Sequence, residues 1–141
     1  MRHFLLDSTL LAAYLSGRKK AVKLIQPWLK KQEVSVSILS YGEVVEQLKG
    51  RSNFVERQKQ LRDLLREIYP YFLTYPILER YADIRRKLRP PHGSGLIGDI
   101  DTLIAATAIE RKLILVTTDT DFDRNIAGLK LKLISRKSLD T

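Results

Sequence analysis

Short apolar runs alternate with amphipathic stretches along the whole chain, and this alternation predicts strands and helices in turn. Phe4-Leu5-Leu6 ends on Asp7, the pattern of a buried strand that delivers a carboxylate at its C-terminal tip. Ser8 or Thr9 is placed to cap a helix carrying Leu10, Leu11, Tyr14 and Leu15 and stopping near Gly17. Lys19 to Lys30 reads as a basic helix with Val22, Ile25, Trp28 and Leu29 on one side, and Pro27 inside it predicts a kink or an early stop. Val34-Ser35-Val36-Ser37 is β-branched and alternating, hence a second strand. Ser40 opens the next helix, which carries Glu43, Val44, Val45 and Leu48 and ends at Gly50. From Phe54 to Ile68 the spacing of Leu61, Leu64, Leu65 and Ile68 is helical; Pro70 then ends the helix, and Tyr71 to Tyr75 is the third expected strand. Leu78 to Leu88 follows as a helix with Arg80, Arg85, Arg86 and Lys87 outside, and Pro90 to Gly98 is a loop. A further helix leads into Leu113 to Thr117, an acidic loop from Asp119 to Asp123, and a last strand from Leu131 to Ser135.

Strands that alternate with helices imply a parallel sheet with helices on both faces, an α/β/α sandwich of three layers with about five strands. With 141 residues and no repeat or linker, residues 1–141 are expected to form a single domain. No apolar run approaches the roughly 20 residues of a membrane span, and the first residues lack a signal-peptide pattern. A cytoplasmic location is expected on those grounds.

The stretch Gly98 to Ala108, G-D-I-D-T-L-I-A-A-T-A, is the most informative piece of the chain. Residues two apart on a helix do not share a face, so Asp99 and Asp101 have different roles. Asp101 shares the inward face of Ala105 and Ala108, whereas Asp99 stands where an N-cap stands. A carboxylate that faces a packed interior is costly unless it is paired or bound to a metal. In open parallel sheets, ligands sit beyond the carboxyl ends of the strands. Asp7 follows the first strand, Glu43 lies just past the second, Asp119 and Asp121 follow the strand at Val116, and Asp101 opens the helix leading into that strand. All can converge on one rim.

Convergent acids need a cation. Two carboxylates about 4 Å apart repel by roughly 4 kcal/mol at an effective dielectric near 20. The sequence has no cysteine and only His3 and His92, far apart, so thiolate and histidine-rich sites are excluded and an oxygen-ligated Mg²⁺ or Mn²⁺ is favoured. Such an ion polarises a phosphoryl oxygen and lowers the pKa of a water it holds, which is the chemistry of phosphodiester hydrolysis. The formal net charge of +9 fits a polyanionic substrate, since an occupied acidic pocket in a basic protein attracts phosphate where a bare one repels it.

Rival motifs fail at named positions. Gly93 to Gly98 matches G-x-G-x-x-G, but Arg85 to Pro91 is charged and ends in Pro-Pro where a dinucleotide site needs a strand. A receiver-type phosphoacceptor needs an acid after the third strand, where Thr74-Tyr75-Pro76 stands, and an aspartyl-phosphate phosphatase needs a second acid in Asp7-Ser8-Thr9. A basic RNA-binding or scaffolding domain without nuclease activity would show a broken acidic set, and the set here is complete. A housekeeping RNA-processing nuclease stands as the alternative to a toxin.

The chain resembles the PIN-domain ribonucleases, and among them the VapC-type toxins of toxin-antitoxin pairs. The resemblance lies in F-L-L-D-S-T, in S-I-L-S-Y-G-E-V-V around Glu43, in D-I-D-T-L-I-A-A-T-A and in L-V-T-T-D-T-D-F. It implies catalytic and metal-holding roles for Asp7, Glu43, Asp101 and Asp119, with Asp121 and Asp99 as further candidates, either aspartate of T-D-T-D-F being able to supply the fourth ligand. It also implies a Mg²⁺- or Mn²⁺-dependent endoribonuclease, usually a homodimer, acting on structured RNA such as transfer or ribosomal RNA. A cognate antitoxin that occludes the site is a further implication, and the basic helices at Lys19 to Lys31 and Arg80 to Arg89 are expected substrate contacts.

Overall fold

A computed structural model describes residues 2–139. Five strands, β1 (Phe4–Leu6), β2 (Val34–Ser37), β3 (Tyr69–Tyr71), β4 (Ile114–Thr117) and β5 (Lys130–Leu133), form one sheet in the order β3-β2-β1-β4-β5. Every pairing is parallel, with Leu5 opposite Ser35 on one side and Leu115 on the other. Six helices connect the strands: α1 (Ser8–Leu15), α2 (Lys19–Lys30), α3 (Ile38–Leu48), α4 (Phe54–Leu64), α5 (Tyr75–Leu88) and α6 (Asp99–Glu110).

The period of a strand divides the core in two. Leu6, Val34, Val36 and Val116 pack with Leu10, Leu11, Ile25, Val44 and Leu61 of α1 to α4 on one face. Leu5, Leu113 and Leu115 pack with Ile77, Ile84, Ile104 and Ala105 of α5 and α6 on the other. Adjacent residues Leu5 and Leu6, both fully buried, therefore serve opposite layers. The three layers and the five parallel strands are those expected. Both serines of β2 are buried too, and Ser35 is satisfied by donating from Oγ to the Phe4 carbonyl at 2.7 Å.

Several boundaries differ from the sequence reading. α2 continues to Lys30 through Pro27, so the expected stop does not occur. α3 begins at Ile38, and Ser37, whose Oγ accepts from Leu39 N–H at 3.1 Å, caps it in place of Ser40. α4 ends at Leu64 and turns lead to Ile68; β3 then contains Pro70 and precedes the expected Tyr71 to Tyr75. Proline is tolerated there because β3 is an edge strand paired only with β2. β5 ends two residues earlier than expected, at Leu133.

The loop that matched a dinucleotide fingerprint has packing reasons for its glycines. A Cβ on Gly93 would lie 2.2 Å from the Lys87 carbonyl oxygen and 2.5 Å from Leu88 Cα, so the loop can fold back on the end of α5 only with no side chain there. Gly95 has φ +126°, a conformation open to glycine. Neither depends on a bound phosphate.

Candidate active site

Successive crossovers carry the chain from β1 outward through β2 to β3, and then back past β1 to β4 and β5. The direction reverses between β1 and β4, and crevices at such a reversal are where open parallel sheets bind their ligands. Asp7 leaves the C-terminal end of β1 there and Thr117 ends β4 beside it, with Asp7 N–H donating to the Val116 carbonyl at 3.1 Å.

Asp7 has two structural duties in addition to its position. Its Oδ1 accepts from Leu10 N–H at 3.0 Å, so Asp7, not Ser8 or Thr9, is the N-cap of α1. Its Oδ2 accepts from the Thr117 hydroxyl. Thr117 Oγ1 in turn accepts from Asp119 N–H at 3.0 Å, which ties the acidic loop to the end of β4. Glu43, on the second turn of α3, accepts through Oε1 from the Ser8 hydroxyl. Two hydroxyls thus orient two of the acids. Neither Thr117 nor Ser8 was assigned this role from sequence; the signal was the hydroxyl residue adjoining or two before an acid in D-S-T and T-T-D.

Asp119 caps a 3₁₀ turn at Thr120–Phe122, its Oδ1 accepting from Asp121 N–H at 2.8 Å. Asp121 is exposed and lies 3.6 Å from Arg124. Asp101 lies in the first turn of α6, partly buried, on the helix that packs under the sheet through Ile104, Ala105 and Ala108.

Electrostatics records the convergence. Burial pushes the Asp101 carboxyl up to about 6, assisted by the negative charges of Asp119, Glu43, Asp7 and Asp121. Asp7 is raised from its ordinary value chiefly by burial and further by Asp119 and Glu43, against the lowering effect of its bonds from Thr117 and Leu10. Residues separated by as many as 112 positions therefore act on one another. Among the described residues no three Asp, Glu or His side chains close into a ready-made ligand set. The donors are all carboxylate or hydroxyl oxygens, which suits a hard divalent cation.

Asp99 corrects the sequence reading. Gly98 is the N-cap residue of α6 and supplies no side-chain bond; Asp99 is the first helical residue. Its Oδ1 takes a 2.6 Å bond from Arg85 and a 3.2 Å bond from the Tyr81 hydroxyl, both from α5. An acid at this position also opposes the positive end of the helix. Asp99 is thus a tie between α5 and α6, and it is not among the charges acting on Asp101. Arg80 is likewise engaged, with Glu110 at 3.1 Å, so two of the basic residues of α5 serve its packing on α6.

Thr117→Val tests the hydroxyl link directly. Val keeps the shape and removes the donor, leaving a buried carboxylate oxygen unsatisfied at a cost of about 1–3 kcal/mol. The lost bond is one that lowers the Asp7 pKa, so that pKa is expected to rise above its wild-type value. A carboxyl pKa raised on folding gives stability that is present at low pH and lost as pH rises. The variant should therefore lose urea stability more steeply between acid and neutral pH, and an unchanged Asp7 titration by carboxyl NMR would refute the link.

The chain is thus an α/β protein of three layers with acids at the reversal of a parallel sheet. Residues 4–127 match the PIN domain family, and the chain belongs to that family. PIN domains are generally nucleases that use divalent metal ions. Similar folds are found in VapBC2 from Rickettsia felis bound to a DNA fragment from the promoter, with a TM-score of 0.80, 18% identity and 94% and 98% of the two chains covered. VapBC-1 from nontypeable Haemophilus influenzae gives 0.76 at 18% identity, covering 92% and 96%. A toxin-antitoxin complex from Klebsiella pneumoniae gives 0.68 at 23% identity, covering 89% and 93%. A sequence comparison with curated proteins finds no significant match.

Proposed function

We propose that this protein is a Mg²⁺- or Mn²⁺-dependent endoribonuclease and the toxin of a VapBC-type pair. The observation that carries the reading is the placement of Asp7, Glu43, Asp101 and Asp119 about the strand reversal, with Asp7 and Asp119 tied through Thr117, Glu43 held by Ser8 beside Asp7, and the charges of the other three raising the Asp101 carboxyl. These four residues would hold the ion, with Asp121 close enough to act on Asp101 and able to join or replace Asp119. When bound, the ion supplies polarisation of a phosphoryl oxygen and acidification of a water. The chain's own residues do the rest. Thr117 and Ser8 hold the carboxylates of Asp7 and Glu43 in place by donating a hydroxyl hydrogen bond to each. Asp101, partly buried at the start of α6 with its carboxyl pushed up to about 6, adds a fourth carboxylate to the rim.

RNA is favoured as substrate by the formal net charge of +9 around an acidic centre. The lysines at positions 19, 20, 23 and 30 of α2 are exposed and available to phosphate. Transfer or ribosomal RNA is the target class that the VapC resemblance supports, and a cognate antitoxin is the partner, as the solved complexes of the relatives contain toxin-antitoxin pairs. A homodimer fits the large apolar side chains left exposed along β3 and the start of α5, where Phe72 is 63% and Tyr75 83% exposed. No helix among the described residues is long and apolar enough to cross a membrane, which accords with a cytoplasmic site of action.

Incubating the protein with total RNA, with Mg²⁺ or with EDTA, tests the reading. Discrete cleavage products that vanish in EDTA are expected. RNA left intact in Mg²⁺ and Mn²⁺ alike, by protein free of antitoxin, would overturn it in favour of a binding or scaffolding domain. Growth arrest on expression, relieved by Asp7→Asn, separates a toxin from a housekeeping nuclease.

A further inference from the structure

Beside the acidic rim, where β4 and β5 end, the surface opens into a cleft of about 480 Å³ lined by Thr118, Asp119, Leu133, Ile134, Ser135 and Arg136. Its volume lies within the roughly 300–1,000 Å³ of sites that enclose small ligands. We infer that this cleft seats the nucleotide adjoining the cleaved phosphodiester in a single-stranded RNA, with Arg136 against the phosphate. The inference rests on the ribonuclease reading above and extends it to a substrate subsite.

Four features point to that occupant. Asp119 belongs to both the cleft and the acidic rim, so whatever fills the cleft is contiguous with the reacting centre. The walls combine the apolar side chains of Leu133, 43% exposed, and Ile134 with hydroxyls and one guanidinium, the mixture that a base or ribose joined to a phosphate requires. Thr118 Oγ1 is buried and has no hydrogen-bond partner, so this wall carries polar capacity that the fold leaves unused. Arg136 is exposed and makes no ion pair among the described residues, unlike Arg80 and Arg85 on α5.

Arg136 is also held in place. Ser135 Oγ accepts from Lys137 N–H at 3.2 Å, and the Ser135 carbonyl accepts from Ser138 N–H at 2.9 Å, which closes the short turn Arg136–Leu139. Leu139 is buried in the core beside α2, and its carbonyl accepts from Arg18 at 3.0 Å. At the other end Ile134 N–H donates to the Thr117 carbonyl at 2.8 Å, so the cleft wall is tied to the residue that orients Asp7. The guanidinium therefore projects from an anchored segment, and a planar fork on such a base can bind phosphate or lie against a nucleobase.

The test measures binding of a fluorescent single-stranded oligoribonucleotide by anisotropy, in an Asp101→Asn background so that the RNA stays intact. Arg136→Glu removes the cation, and Leu133→Trp fills the cleft without altering charge. Each is expected to weaken binding about tenfold. Arg51→Glu, an exposed arginine beyond the end of α3, controls for net charge and is expected to bind within about twofold of the parent. The inference is overturned if Arg136→Glu and Leu133→Trp, both folded by circular dichroism, bind like the parent, or if Arg51→Glu loses as much as Arg136→Glu. Should wild-type protein cleave no RNA, the ribonuclease reading falls, and the anisotropy series still decides whether the cleft takes RNA. Should it cleave while all variants bind alike, only the cleft assignment falls.

Discussion

Asp101→Asn is expected to abolish metal-dependent RNA cleavage, by a factor of about 10³ or more, and at the same time to stabilise the metal-free protein. The two effects have one cause. Asp101 is pushed up to about 6 by burial and by the charges of Asp119, Glu43, Asp7 and Asp121, so at neutral pH the folded chain holds an ionised group in a place that disfavours ionisation. The folded pKa exceeds the unfolded value of 3.8, so the folded state binds the extra proton between the two. Its stabilising contribution is complete below about 3.8 and is lost as pH rises through about 6. The wild type without divalent ions should therefore lose stability from pH 5 to pH 7, and Asp101→Asn should flatten that slope. The side chain is partly exposed, so after allowance for screening the gain at pH 7 is about 1 kcal/mol, or about 3 °C in melting temperature. Thermal melts across pH, with RNA cleavage assayed in parallel, check both halves. Retained Mg²⁺-dependent cleavage by Asp101→Asn would remove the residue from the catalytic set, and a melting temperature lowered at pH 7 would show that it stabilises the fold.

The common placement of the acids was legible in sequence because parallel α/β topology converts strand order into a place. Once Phe4–Leu6 and Leu113–Thr117 read as strands, Asp7, directly after the first, and Asp119, two residues past the second, had to lie on the same rim, whatever the distance along the chain. Hydroxyl partners were not legible in this way. Thr117 reaches Asp7 across 110 positions, and nothing in T-T-D says which threonine turns toward β1 and which, like Thr118, is left without a partner. Asp99 went wrong for a related reason. An acid at the start of a helix satisfies the local capping pattern, but Arg85 and Tyr81 on α5 supply a tertiary alternative, and Gly98 takes the cap. The misplacement of β3 has its own cause. Ile68 continues the helical spacing of Leu61 and Leu64, yet it is buried from a turn beyond the end of α4, and Pro70 sits within a strand because that strand is an edge. Pro27 shows the same limit, since α2 carries the proline without ending.

Mg²⁺ or Mn²⁺ should raise the melting temperature, and the size of the rise follows from mass action. A cation present at about 100 times its dissociation constant, bound by the folded chain alone, stabilises by about 2.7 kcal/mol. For a chain of this size that is roughly 5–10 °C. The gain should be largest near neutral pH, where Asp101 is ionised and the repulsion among the acids is greatest, and should shrink below about 6 as the carboxyl takes a proton in competition with the ion. Asp7→Asn and Asp101→Asn should each lose most of the shift, because each deletes an anionic ligand. Asp99→Asn should keep it, because Asp99 is spent on Arg85; its expected loss is the modest one of an exposed ion pair. This pattern separates a cation held at the rim from one bound diffusely to surface acids, for which all three variants would behave alike. A melt that neither Mg²⁺, Mn²⁺ nor a chelator moves would leave the converging carboxylates without a counter-charge, and with it the proposed hydrolysis without its source of activated water.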